Sequence, residues 1–377
     1  MLRSLPLFLL AISTAAAQRH SWSGRGPGRH SSSSSSSTSK AASSSSATSS
    51  TQAATTTTAT TTSSAAANTS TSSHKLLKEH SGSTFFDGFD FKNITDPTSG
   101  LVSYLPSSDA WSRSLVSITS DDTVLFSIDR ESTLALNENR PSVRIESQET
   151  YSEGLFVADF KHAPVGCSVW PAWWLFNEDW PNGGEIDILE GVNERAYNTM
   201  TLHTANGCTR DTSSSFSGNA AYSSTDCYAR AYGASSGCGI VDDVSSSLAY
   251  GTGFNSAGGG VYAMLLDPSS GIKIWFWSRG DVPSDVESGS PEPEGWGTPV
   301  AAWGTATCDI ETYFYDLKMT FDITTCGGWA GDASVWSATD QSGSCSSSYS
   351  TCAEAVQDPT NFEEAYFEIN YIKVYSV

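Results

Sequence analysis

Asp316-Leu317-Lys318-Met319-Thr320-Phe321-Asp322-Ile323 alternates without a break: Leu317, Met319, Phe321 and Ile323 are apolar, and the residues between them are polar. A period of two is the repeat of a β-strand, whose successive side chains point to opposite faces. Val143 with Ile145 begins another such stretch, and Phe367 with Ile369 a third. Clusters such as Pro181-Asn182-Gly183-Gly184 and Gly258-Gly259-Gly260 separate the stretches as turns. One short helix is predicted, where Thr351-x-x-Glu354 reads as a capping box. Many strands and almost no helix predict an all-β domain, an antiparallel sandwich or barrel. The absence of an internal repeat argues against a propeller or solenoid. In Ile272 to Trp277 both faces are apolar, with Trp275 and Trp277 opposed to Ile274 and Phe276. One face serves the core; the other must lie under a loop or a sugar ring.

Composition limits what such a domain does. The chain has 377 residues, 20 Lys+Arg against 41 Asp+Glu, and a formal net charge of -21. That acidity argues against nucleic acid and against an anionic membrane surface, both of which need clustered cations. No 18-residue apolar run is present, so no membrane span is expected. Arg3, the short apolar run Leu5 to Ile12 and Ala15-Ala16-Ala17 read as a signal peptide over residues 1–17, cleaved before Gln18. Residues 18–80 are expected to be disordered. Ser31 to Ser73 is nearly all Ser, Thr and Ala, and cannot bury enough apolar surface to offset the entropy of ordering. Such a tract is an O-glycosylated stalk or a plain flexible leader.

The folded domain is assigned to residues 81–377, with its first core residue near Phe85. Asn68 and Asn93 begin N-glycosylation sequons, and only the second falls in that domain. All eight cysteines lie between Cys167 and Cys352, which predicts up to four disulfides in an oxidising compartment. Spacing suggests Cys345 with Cys352, and Cys308 with Cys326, as local pairs. The chain ends Tyr375-Ser376-Val377 with no apolar tail, so no lipid-anchor signal is expected. The localisation expected is secreted and extracellular, with a wall-associated role compatible with the Ser/Thr tract.

The densest chemistry lies in Trp180-Pro181-Asn182-Gly183-Gly184-Glu185-Ile186-Asp187-Ile188-Leu189-Glu190-Gly191-Val192-Asn193. In a strand Glu185 and Asp187 share a face, whereas Glu190, five positions from Glu185, points the other way. A β-bulge near Ile188-Leu189 would absorb one residue and return Glu190 to their side. Three adjacent carboxyl groups raise one another's pKa, so one holds a proton where another is ionised. Glycosidic cleavage needs that pairing of acid and carboxylate. An acidic edge strand facing solvent, or a set of calcium ligands, would give the same spacing. Ser168-Val169-Trp170-Pro171-Ala172-Trp173-Trp174 and Trp180 favour the sugar cleft, because aromatic faces stack on the C–H faces of pyranose rings. No zinc pattern and no EF-hand loop is readable, so neither metal nor cofactor is expected.

The run Trp170-Pro171-Ala172-Trp173-Trp174, the stretch Trp180 to Asn193, and Asn198-Thr199-Met200-Thr201-Leu202-His203-Thr204 resemble glycoside hydrolase family 16. More narrowly they resemble its fungal laminarinase-like branch, the endo-1,3(4)-β-glucanases. The likeness continues through Gly259 to Met264, Ile272 to Trp277, Phe321 to Gly331 and the last strand, Ala365 to Tyr375. It implies a concanavalin A-like β-jelly-roll sandwich with a concave substrate cleft. It assigns Glu185 as nucleophile, Glu190 as general acid/base and Asp187 as their assistant. Carboxyl groups about 5–5.5 Å apart and retention of configuration are also implied. Trp170, Trp174, Trp180 and His203 fall where the family's motifs contribute to the cleft. After Met264 the chain reads Leu265-Leu266-Asp267, where the branch more often has a Glu-Trp or Glu-Arg pair, which leaves glycone-side contacts and linkage preference open.

The reading that follows is a monomeric, secreted endo-β-glucanase acting on β-1,3 and mixed-linkage glucans. A wall transglycosylase would use the same residues. A non-catalytic glucan-binding protein on the same sandwich would typically have lost the two Glu residues, which this chain keeps.

Overall fold

The stretch Asp316–Ile323 becomes the strand Leu317–Thr325 in a computed structural model that describes residues 72–221, 224–230, 237–243, 248–338 and 344–377. Leu317, Met319, Phe321 and Ile323 point into the core, where Phe321 stacks on Trp173 at a centroid distance of 6.0 Å. Thr320, Asp322 and Thr324, on the opposite face, are buried as well. A polar layer therefore lies over that side of the sheet.

Among the described residues most strands form two eight-stranded antiparallel sheets, and Val102–Tyr104 pairs in parallel with Arg140–Ser142. The site-bearing sheet runs, edge to edge, Asn219–Ala220, Ile240–Asp242, Asn198–His203, Glu185–Glu190, Val169–Phe176, Leu317–Thr325, Arg144–Tyr151 and Phe89–Phe91. The backing sheet runs Ala301–Trp303, Gly271–Ser278, Gly260–Asp267, Gly154–His162, Tyr366–Tyr375, Val124–Ser127 and Val116–Ile118, with Leu76–Ser81 also paired to Tyr366–Tyr375. Between the sheets lies one large apolar cluster that includes Phe126, Phe160, Trp173, Phe321 and Phe367. Burying each such ring stabilises the sandwich by about 2–3 kcal/mol.

The structure corrects several expectations. Ordered backbone begins before residue 81: Leu76–Ser81 is a strand, with His80 buried. Its exposed Leu76 and Leu77 break the inside–outside pattern, so composition alone assigned it to the polar leader. The Cys352–Gln357 helix is present and Thr351 caps it, accepting the Glu354 N–H at 3.2 Å. Further short helices accompany it, such as Ser107–Ser112 and Gly251–Ser256, too brief to show a helical period. Four disulfides form as expected in number, but they join Cys167–Cys345, Cys208–Cys308, Cys227–Cys238 and Cys326–Cys352. Neither pair suggested by short spacing exists, because the fold brings Cys345 back across 178 residues to Cys167. Leu265-Leu266-Asp267 lies in the backing sheet, so that departure does not touch the site. No helix among the described residues is long and apolar enough to cross a membrane.

Candidate active site

The strand Glu185–Glu190 carries the anticipated irregularity. Against Val169–Phe176 its register steps from Asp187 opposite Trp174 to Leu189 opposite Trp173, so Ile188 is the extra residue. Ile186, Ile188 and Leu189 are fully buried, while Glu185 and Glu190 remain partly open on the other face with Asp187 between them. Gly184, at φ +84°, makes the turn into this strand, and a side chain there would strike the Tyr313 carbonyl oxygen.

A bulge leaves backbone groups without ladder partners. Here Asn198, fully buried on the neighbouring strand, supplies them. Its Nδ2 donates to the Ile188 carbonyl at 2.7 Å, and its Oδ1 accepts the Glu190 N–H at 2.7 Å. One side-chain amide thus fixes both ends of the bulge and the backbone that carries Glu190.

The three carboxyl groups share a crowded site. Burial, and next the charge of Asp187, push Glu185 up to about 8; the same two causes in the same order raise Glu190 well above the carboxylate range. Opposing the rise, Trp170 donates its ring N–H to Glu190 Oε1 at 2.8 Å. The Trp180 ring lies close enough to Glu185 to favour its ionised form, although its N–H makes no aligned hydrogen bond. His203 sits opposite Glu185 in the register, with Nε2 3.3 Å from Asp187 Oδ2, an ion-pair distance without hydrogen-bond alignment. The cluster holds protons that isolated carboxyls would release, and acid–base chemistry needs such a reserve.

Beside it Trp174 is held on two sides. Its N–H donates to Asp322 Oδ1 at 3.0 Å, and the Arg144 guanidinium lies over its ring at 4.9 Å. Phe176 stacks on it at 4.8 Å. Asp322 Oδ2 accepts from Tyr104 at 3.0 Å and lies 3.5 Å from Arg144 Nη1; burial outweighs these partners and raises Asp322 to about 6.

A sequence model of the XgeA-like catalytic domain of glycoside hydrolase family 16 matches residues 89–375. The chain belongs to glycoside hydrolase family 16. It is 42% identical over 306 residues to a Schizosaccharomyces pombe protein named as a probable glycosidase, an alignment covering 80% of this chain and 69% of that one. It is 38% identical to an endo-1,3(4)-β-glucanase of Arthroderma benhamiae, covering 81% of this chain but 65% of that one. It spans only 40% of a related Aspergillus niger protein. Among solved structures it is similar to laminarinase 16A of Phanerochaete chrysosporium with β-glucans in donor and acceptor sites, at a TM-score of 0.73 and 37% identity over 80% of this chain and 99% of that one. An elongating family 16 β-1,3-glucosyltransferase gives a TM-score of 0.71 and 39% identity over 81% of this chain and all of that one.

Within this family 16 domain all seven site residues named from the sequence gather on one face of one sheet or at the turn leading into it. Glu185, Asp187 and His203 bring one ligand atom each within 4.8 Å of one another, so they are also the described group best placed to hold a cation. Trp275 and Trp277 are elsewhere, in the backing sheet beneath Trp296 of a loop, and meet no site residue. Sequence reasoning missed Asn198, Asp322 and Arg144. Asn198 carried a signal, since Asn is depleted in strands and opens this one. Asp322 and Arg144 looked like ordinary polar positions of alternating strands.

Proposed function

We propose that the protein is a secreted endo-β-glucanase that hydrolyses β-1,3 and mixed β-1,3/1,4-linked glucans with retention of configuration. The observation that carries this reading is the bulged strand that puts Glu185, Asp187 and Glu190 on one face, beside ring N–H groups of tryptophans. In this reading Glu185 attacks the anomeric carbon while Glu190 protonates the departing oxygen. Glu190 then takes a proton from water, which displaces Glu185 from the glycosyl intermediate. Asp187 raises both neighbours by its charge and is itself held near His203. Trp170 fixes the Glu190 carboxyl, and Trp174 and Trp180 are cleft residues beside the cluster. Four disulfides fit an oxidising, extracellular setting.

The test is to incubate the protein with laminarin, lichenan, carboxymethylcellulose and xyloglucan, following product length and anomeric configuration. Short β-configured products from laminarin or lichenan are expected, and their ratio gives the linkage preference. Cleavage of xyloglucan alone, or α-configured products, would overturn the reading. Likeness to the elongating glucosyltransferase supports a second outcome, transfer of the glycosyl group to another glucan instead of water. Products longer than the supplied oligosaccharide would reveal it.

A further inference from the structure

Asn93-Ile94-Thr95, the sequon that falls in the folded domain, leaves the edge strand Phe89–Phe91 just after Lys92. Residues 93–95 are all exposed. Their neighbours on both sides are tied down. Lys92 donates its backbone N–H to the Arg144 carbonyl at 2.9 Å, and its ammonium lies 3.2 Å from Glu146. Asp96 is buried, and its Oδ2 accepts the Gly100 N–H at 2.8 Å and the hydroxyls of Thr98 and Thr324 at 2.6 Å each. Its Oδ1 accepts the Thr98 N–H at 3.2 Å. Three outward residues are thus held between two anchors. Among the described residues neither the Asn93 amide nor the Thr95 hydroxyl takes part in a hydrogen bond, so the fold asks nothing of them. Ile94 between them is 42% exposed and gives the loop an apolar surface within reach of a group carried by its neighbour.

We propose that Asn93 carries an N-linked oligosaccharide in the mature protein, and that its first N-acetylglucosamine covers Ile94. The proposal rests on the secretory reading, which supplies the co-reactant, a lipid-linked diphosphate oligosaccharide. In the transfer the Asn93 side-chain nitrogen attacks the anomeric carbon of the reducing-end sugar. A C–N bond forms, the C–O bond to the diphosphate breaks, the amide gives up one proton, and the lipid diphosphate leaves. Modification of this kind precedes folding, so the folded chain must then leave room for the product. An exposed tripeptide between fixed residues does so. The C–H face of the sugar can lie on Ile94 while its hydroxyls stay in water, which removes apolar surface from solvent without disturbing the anchors.

The test expresses the full chain in a fungal host and maps peptides of the exported protein by mass spectrometry. Asn68 opens a second sequon, outside the described residues, so occupancy is read on the peptide that contains Asn93. That peptide should carry a hexose-rich glycan on N-acetylglucosamine in most molecules, released by an amidase that leaves a carboxylate at position 93. Thr95→Ser should keep the glycan, whereas Asn93→Gln and Thr95→Ala should lose it. Enzymatic removal from the folded protein should lower the thermal unfolding midpoint by roughly 1–3 °C, and by much less in Ile94→Ser. An exported chain with a bare Asn93 would overturn the site. Equal shifts in the parent and Ile94→Ser would overturn the contact with Ile94. A chain that stays in the cell with its thiols reduced would sink the secretory reading instead, and the same chain behind the host's own secretion signal then decides the site.

Discussion

Two groups of tryptophans occupy opposite sheets of this sandwich. In the backing sheet Trp275 and Trp277 meet Trp296 edge to face at 5.2 and 4.9 Å. Their polar handles hold a loop: Trp275 donates to the Gly297 carbonyl at 3.3 Å, and Trp296 to Asp285 at 2.6 Å. On the site-bearing sheet Trp170 and Trp174 spend the same handle on Glu190 and Asp322, acids whose pKa burial has raised. The ring type is the same; the partner decides its work. An indole bound to a loop carbonyl or a loop carboxylate closes a surface. An indole bound to a buried, proton-holding carboxyl fixes that carboxyl in place.

Glu185→Gln tests the contrast hardest. Loss of the attacking carboxylate is expected to remove at least about a thousandfold of kcat on laminarin. The same variant should be more stable than the parent near neutral pH. Burial and the charge of Asp187 raise the coupled Glu185 and Glu190 pair above the unfolded carboxylate value of about 4.3, so the folded pair holds a proton that the unfolded chain has released, and the parent loses stability as pH rises above that value. Thermal unfolding should show an advantage for the variant near pH 7 that vanishes near pH 4. An advantage that instead grew towards acid would refute the cause assigned to the shift.

Asn198→Ala comes next. It strips partners from two buried backbone groups and is expected to cost about 2–4 kcal/mol, with a fall in kcat that exceeds any change in KM. A stable variant with parental kcat would mean the bulge holds itself. Asp322→Asn should raise KM about threefold while kcat stays close to parental, because the Trp174 ring is less firmly held. The parent's KM should climb as pH drops through about 6, where Asp322 takes up its proton, and the variant's should not. Smallest in activity is Trp296→Ala, which should lower unfolding stability by about 2 kcal/mol and leave kcat/KM within twofold. A large loss of activity there would erase the distinction between the two clusters.

The sandwich was legible because alternation survives wherever one face of a strand is core: Leu317 to Ile323 and Phe367 with Ile369 needed nothing else. The carboxyl cluster was legible because one extra residue would bring Glu185 and Glu190 to one face, and the neighbouring tryptophans favoured that reading over an acidic edge strand or a set of calcium ligands. What could not be read was what lies above each sheet. Trp-x-Trp in Trp275 to Trp277 and the Trp170 to Trp174 run present comparable apolar bands, and only the folded Pro283–Gly297 loop distinguishes them. Disulfides failed for a related reason. Cys167 and Cys345 meet through the packing of distant segments, and sequence spacing carries no record of that.

The extra residue at Ile188 behaves like a compensated frameshift. Upstream of it the strand reads in one parity and downstream in the other, yet both parities deliver acids to the same side and aliphatics to the core. A chain shortened by that one position would keep Glu185, Asp187 and Glu190 in phase with no correction at all, and the Asn198 amide would have nothing to hold. The length of this strand is therefore free to change by one, provided that the amide on its neighbour is gained or lost in step.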